Sequence, residues 1–165
     1  MSGPALEHFE DDGVFPNSRL PLLLYSGALS DPSPEAMERL FAKNGWPPAW
    51  RATVFTYHHY HSKSHECLGV ASGNATLRFG GPHGRDFKVS AGDVVVIPAG
   101  VAHQRVLSST DFLVVGCYPP GQEDWDLLRG NPDDRPKADE NIAKVALPKT
   151  DPVEGSGGAL LQHWN

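Results

Sequence analysis

The stretch Tyr57-His58-His59-Tyr60-His61-Ser62-Lys63-Ser64-His65-Glu66 places four histidines and a carboxylate within ten residues. Imidazole nitrogens and carboxylate oxygens are the donors of a divalent-metal site. His59 and His61 are two apart, so on a β-strand they share a face at roughly 6.6 Å along the backbone, close enough to converge on one ion. Residues 62–65 are polar and of hairpin-loop length. Read as that loop, they set Glu66 across from His61 on the same face of the next strand. Downstream, Gly92-Asp93-Val94-Val95-Val96-Ile97-Pro98-Ala99-Gly100-Val101-Ala102-His103 reads as a turn, an apolar strand, a Pro/Gly corner and a histidine. The expected ligand set is His59, His61, Glu66 and His103.

A histidine-rich strand can also be a solvated face, and a single histidine such as His103 is commonly structural. The shared face and the two independent glycine/proline frames weigh for the metal. His58 is expected to face away from His59. His65 falls in the expected loop, where it either sits behind the ligands or at the rim, or displaces Glu66 as a ligand. His8, His83 and His163 have no partner frame and read as surface residues. His65-Glu66 does not begin a zincin motif, because Gly69 stands where the second histidine belongs.

These residues carry a resemblance. The first stretch is similar to the first cupin motif, G-x5-H-x-H-x3,4-E-x6-G, with His59, His61, Glu66 and Gly73 on its spacing and Thr53 in place of the leading glycine. The second resembles the second cupin motif, G-x5-P-x-G-x2-H-x3-N, with Gly92, Pro98, Gly100 and His103 matching and Leu107 replacing the final asparagine. Phe15-Pro16-Asn17, Leu20-Pro21-Leu22-Leu23-Leu24-Tyr25, Tyr118-Pro119-Pro120-Gly121 and Asp151-Pro152-Val153 resemble a YjlB-like cupin subfamily. The resemblance implies an all-β, double-stranded β-helix: an RmlC-like jelly-roll barrel, commonly paired through its sheets as a homodimer. No second HxH frame occurs, so the chain reads as a single cupin.

Three neutral imidazoles and a carboxylate suit one divalent transition metal ion, Fe, Mn, Ni, Zn, Co or Cu, without naming it. On an octahedral ion two positions remain for water, a bidentate substrate or dioxygen, with the metal as Lewis acid or electron relay. Counting by two from the ligands puts Phe55, Tyr57, Leu68, Val70 and Arg105 on the inward face, a mostly apolar set. Arg105, Tyr57 and His65 are the catalytic candidates: Arg105 to grip a carboxylate, Tyr57 to donate a proton or hydrogen bond. The bland alternatives are Arg105 bonded to a backbone carbonyl and Tyr57 as ordinary core. No other cofactor site, phosphate loop, second carboxylate or Ser/His/Asp frame is apparent. Three functions follow: a metal-dependent oxygenase or isomerase acting on a carboxylate- or carbonyl-bearing metabolite, which is preferred; a non-catalytic ligand-binding or sensing module; and a structural metal pinning two hairpins.

The elements that must position the site are short. Seventeen glycines and fifteen prolines in 165 residues punctuate β-branched runs, the pattern of an all-β sandwich or barrel. Strands are expected at 20–25, 51–61, 66–72, 74–79, 86–89, 93–98, 103–107 and 112–118. A helix is expected from Pro34 to Asn44, capped by Ser33 and stopped by Gly45, and a second, short one over Glu123 to Arg129. One domain is expected over 1–165, with a motif-bearing core at 50–118, an N-terminal strand and helix at 14–45 and a C-terminal wrapping segment at 119–165. Residues 130–158 read as extended, irregular chain. Leu160, Leu161 and Trp164 either dock as a plug or stay disordered until a second subunit is met. Cys67 and Cys117 read as reduced packing residues. With 14 basic against 20 acidic residues, a net charge of -6 and scattered basic residues, nucleic acid and acidic membranes are unsuited partners. The N-terminus lacks a charged-then-apolar signal pattern, so the expected location is the cytoplasm and the expected partner a small molecule.

Overall fold

A computed structural model describes residues 3–165. Apolar runs broken by glycine turns form nine strands among the described residues: β1 (Ala5–Phe9), β2 (Ser18–Tyr25), β3 (Pro48–Ala52), β4 (Glu66–Ser72), β5 (Asn74–Phe79), β6 (Arg85–Ser90), β7 (Val94–Ile97), β8 (His103–Ser108) and β9 (Leu113–Cys117). They make two antiparallel sheets, ordered β1-β2-β7-β4-β9-β3 and β6-β5-β8, stacked as a jelly roll. The helices are α1 (Pro34–Lys43), α2 (Lys137–Lys144) and α3 (Ala159–His163). No helix among the described residues is long and apolar enough to cross a membrane.

The central strands of the six-stranded sheet are covered on both faces, as their almost unbroken apolar runs require. Leu68 and Val70 of β4, with Val95 and Ile97 of β7, pack against Leu77 and Phe79 of the smaller sheet. The alternate residues Cys67, Ala71, Val94 and Val96 form a second core with Met37 and Phe41 of α1 and with Leu160 and Trp164. Ser33 caps α1, its hydroxyl accepting from the Ala36 N–H at 3.0 Å, and Pro34 opens the helix. α1 approaches β4 at Gly69, where a Cβ would lie 2.3 Å from Met37 Cγ and 2.7 Å from Phe41 Cζ.

The structure departs from the sequence reading in five places. β1 and α2 were not expected, and α2 falls in the segment read as irregular. The expected strand 51–61 ends at Ala52, and the sheets do not close into a barrel. Beyond Ala52 the chain crosses to β8, held by Arg105 N–H to Phe55 O at 2.9 Å and by reciprocal bonds between His59 and His103 at 3.1 and 2.9 Å. Carbonyls that a regular ladder would use are taken by side chains: Val54 O by Arg105, Thr56 O by Gln104 and Tyr57 O by His59. The expected helix at Glu123 to Arg129 is absent because Leu128 exchanges two backbone hydrogen bonds with Tyr60, at 2.9 and 3.0 Å, which requires extended chain.

The tail docks. Trp164 is buried and donates its indole N–H to Pro21 O at 2.7 Å. Asp151 is fully buried, accepts from the Val153, Glu154 and Leu160 N–H groups, and also bonds the Tyr25 hydroxyl. That network is a physical reason for Asp151-Pro152-Val153 and for the tyrosine ending β2.

Gly69→Ala should lower the unfolding free energy by about 1–3 kcal/mol through overpacking under α1, read by urea denaturation. An unchanged midpoint would contradict the packing described.

Candidate metal centre

The four expected ligands meet. His59, His61, Glu66 and His103 are all buried, and the three histidines can each offer one nitrogen within 4.8 Å of the other two. Different elements supply them. His103 begins β8 and is bridged through its backbone to His59. Glu66 begins β4, on the face carrying Leu68 and Val70. His61 is fixed from the second motif, because the Gly100 N–H donates to His61 O at 2.8 Å. Gly100 turns that corner with φ of +98°, a left-handed conformation glycine adopts at little cost. Asn17 locks the corner before His103: its amide donates to Glu10 O and Gly80 O and its carbonyl accepts from the Ala102 N–H.

Each ring is set in one tautomer. Nδ1 of His59 bonds Tyr57 O at 3.0 Å, Nδ1 of His103 bonds Val101 O at 3.1 Å, and Nδ1 of His61 bonds Asp126 O. A carbonyl only accepts, so each Nδ1 carries the hydrogen and each Nε2 presents a lone pair. Glu66 Oε1 lies 3.0 Å from His103 Nε2 and 3.5 Å from His61 Nε2, yet receives no hydrogen bond. Its other oxygen accepts from the Tyr118 hydroxyl at 3.2 Å, and that hydroxyl accepts from the Trp50 indole N–H at 3.0 Å.

Lone pairs facing a carboxylate oxygen in a buried space call for one positive charge. Without an ion, a proton shared with His61 would meet the same demand. On His61 burial opposes the charged form, but neighbouring Glu66 and Asp126 outweigh it and raise the pKa. On Glu66 burial acts upward, and His61 and His103 outweigh it and hold the acid well below the usual carboxylate range. His59 is lowered to about 3, by burial first and by His103 second. The donor set therefore fits a divalent cation, with His59, His61, His103 and Glu66 able to hold it.

Beside this cluster lies a cavity of about 300 Å³, walled by Trp50, Val54, Phe55, Leu68, Tyr118 and Trp125. Of the inward-facing residues expected from sequence, Phe55 and Leu68 line it and Val70 lies in the core behind. The catalytic candidates do not line it. Arg105 is turned away, its Nε donating to Val54 O at 2.9 Å and its Nη1 to Ser108 Oγ at 3.0 Å, so a substrate grip by this residue is not what the fold provides. Tyr57 stacks on Phe55 with centroids 5.0 Å apart, beneath the Arg129 guanidinium at 3.6 Å, and meets the site through its carbonyl on His59 and through its ring, edge-to-face with His59 at 5.7 Å. His65 points to the other side of the sheet: Nδ1 accepts from the Ala99 N–H at 2.9 Å, and its ring lies against Trp164. Burial lowers it to about 4. His58 turns toward Phe15.

Sequence reasoning missed Trp50, Tyr118, Trp125 and Asp126. Trp125 packs edge-on to His61 at 5.2 Å and stacks near Tyr118. Asp126 bonds His61 through its carbonyl, and its carboxylate accepts from the Ser62 N–H, the Ser62 hydroxyl and the Lys63 N–H. Tyr118 stood in a subfamily segment. Trp125 and Asp126 were concealed by the helix expected over them.

A family model described as Cupin domain matches residues 51–115. The chain is 43% identical over 157 residues to the Uncharacterized protein YjlB of Bacillus subtilis (strain 168), covering 94% of this chain and 93% of that one. Among solved structures, a DUF861 family protein from Thermotoga maritima is similar at 18% identity and a TM-score of 0.36, covering 58% of this chain and 96% of that one. An acireductone dioxygenase from Bacillus anthracis, with a cadmium ion in its active center, is similar at 15% identity and a TM-score of 0.33, covering 64% and 53%. Likenesses this loose say nothing about activity. The sequence relationship, together with both motifs converging on one buried cluster, places the chain in the cupin superfamily, in the group of YjlB-like proteins.

Proposed function

We propose that this protein is a metal-dependent enzyme acting on a small molecule, with one divalent transition metal ion held by His59, His61, His103 and Glu66. The observation that carries the reading is the set of three Nε2 lone pairs and an unpartnered carboxylate oxygen at one end of an apolar cavity. A bound ion would supply Lewis-acid or electron-transfer chemistry to a chelating substrate. The chain's own residues do the rest. Backbone carbonyls orient the three rings, Tyr118 holds Glu66, and the aromatic walls keep water from the reacting end.

The reaction class we favour is oxygenation or isomerisation of a carbonyl-bearing metabolite. With Arg105 engaged elsewhere, a carboxylate would have to bind through the ion rather than through a side-chain cation. A second reading, ligand binding without turnover, draws on the engagement of the cavity's titratable groups: Tyr118 is bonded to Glu66, and the histidines to carbonyls. A purely structural ion fits less well with an adjoining cavity of about 300 Å³. We further read residues 1–165 as one cupin domain acting in the cytoplasm as a homodimer. The exposed Val106 and Leu107 on β8, an outer strand, support the pairing, and the net charge of -6 argues against nucleic acid or membrane as partner.

Incubating the iron(II)-loaded protein with a panel of hydroxyketones, diketones and oxo acids, with and without dioxygen, tests the activity. Turnover that needs dioxygen identifies an oxygenase, and anaerobic conversion to a product of equal composition identifies an isomerase. Saturable binding with no turnover of any member would favour the second reading. In untagged protein, His61→Ala and His103→Ala should reduce bound metal to about a tenth or less, while His83→Ala retains it. Equal metal content in all three would contradict the ligand set. Asp126→Ala keeps the carbonyl on His61 but removes the carboxylate that anchors that segment to Ser62 and Lys63, and should weaken metal binding about 10–100-fold without abolishing it, measured by chelator competition; wild-type affinity would remove the Asp126 carboxylate from the account.

A further inference from the structure

The cavity wall carries information about what it accepts. Most hydrogen-bonding groups along it are spent within the protein: the Trp50 indole on Tyr118, the Tyr118 hydroxyl on Glu66, and each Nδ1 on a carbonyl, while the indole N–H of the half-exposed Trp125 is not engaged among the described residues. No lysine or arginine lines it, and Glu66 is its one carboxylate. The unengaged Thr53 stands at the exposed rim. The polar atoms are concentrated at one end, where Nε2 and Oε1 converge. Along the rest of the wall a ligand meets mostly carbon, and a charged substituent there would lose water without gaining a charged partner.

The wall also has shape. The Trp50 indole lies flat on the backbone of Gly116, where a Cβ would come within 2.2 Å of the ring, so this face is open to an aromatic plate by virtue of a glycine. Trp125 and Tyr118 are near-parallel, 22° apart with centroids at 6.2 Å. Phe55 and Trp125 are 45% and 38% exposed although they border the cavity, which leaves ring faces for a guest to cover. An apolar cavity of about 150 Å³ is enough for one benzene ring, and this one is about 300 Å³.

We propose that the site takes a ligand whose body is an uncharged, flat aromatic or similarly unsaturated ring, seated against Trp50, Phe55 and Trp125, and which presents a pair of oxygen donors toward His59, His61, His103 and Glu66. This substrate class rests on the metal reading for its oxygen end and on the wall alone for its ring.

A matched series separates the two ends. Acetohydroxamate, benzohydroxamate and 4-carboxybenzohydroxamate share a chelating head and differ in body. With zinc-loaded protein in a calorimeter, benzohydroxamate should bind at least about tenfold more tightly than acetohydroxamate, and the distal carboxylate should cancel the gain. Trp125→Ala, and independently Phe55→Ala at the exposed rim, should reduce the preference toward unity, whereas His83→Ala should keep it. Equal affinity for acetohydroxamate and benzohydroxamate, or tightest binding of the carboxylated member, overturns the proposal while leaving the metal centre standing. 2-Naphthol, which has rings and no chelating pair, supplies the converse arm. Its saturable binding to metal-stripped protein, lost in Trp125→Ala, supports the ring wall even where hydroxamates show no dependence on metal, a result that would instead refute the metal reading. Failure of both 2-naphthol and benzohydroxamate to bind overturns the proposal.

Discussion

Three hydrogen bonds from imidazole Nδ1 to backbone carbonyls are the constraint on which the centre depends. They decide the tautomers, and only with those tautomers do three Nε2 lone pairs point inward. Two of the carbonyls are local, Tyr57 and Val101, each two residues before its histidine. The third, Asp126, is 65 residues from His61 and reaches it only because the segment after β9 folds back over the site. That return is held by the reciprocal Tyr60–Leu128 bonds, by the Asp126 carboxylate on Ser62, and by Asn141 of α2 donating to the Ser62 hydroxyl at 3.0 Å. A single such bond contributes about 1 kcal/mol, so the orientation of His61 rests on the set. Chain outside the motif-bearing core thus completes geometry inside it.

The second element is a strongly apolar surround. Packing Glu66 between histidines is tolerable only if a positive charge joins them, and the walls make that requirement stricter by keeping water away. The same walls give the cavity its direction. With an ion held there, attraction for oxygen donors would be concentrated where the three Nε2 atoms converge, and contact area is offered by the aromatic side. Tyr118 joins the two, stacking near Trp125 while its hydroxyl holds Glu66 and accepts from Trp50.

Much of this was legible in the sequence because motif spacing is a local property. The alternation of His59 with His61 and the glycine corner before His103 transmit directly into geometry, and α1 follows its Ser33 and Pro34 signals almost to the residue. Glu66 does approach His61, but not by the expected hairpin, since β4 pairs with β7 and β9. What could not be read is what depends on distant partners. Arg105 was given an inward direction by counting along a strand, and the carbonyl of Val54, released by the broken ladder, claimed it. Residues 123–129 have the local character of a helix, and pairing with Tyr60 overrides it. His65 sits among ligands in sequence, yet the onset of β4 turns it to the opposite face.

An anomalous-difference map, recorded at the absorption edge of the metal retained by untagged protein, tests the central claim most directly. The account predicts one peak, at about 2.0–2.2 Å from Nε2 of His59, His61 and His103 and from a Glu66 oxygen. A metal-replete crystal whose peak lies elsewhere, or whose ion is bound through Nδ1 of any of these rings, would contradict it.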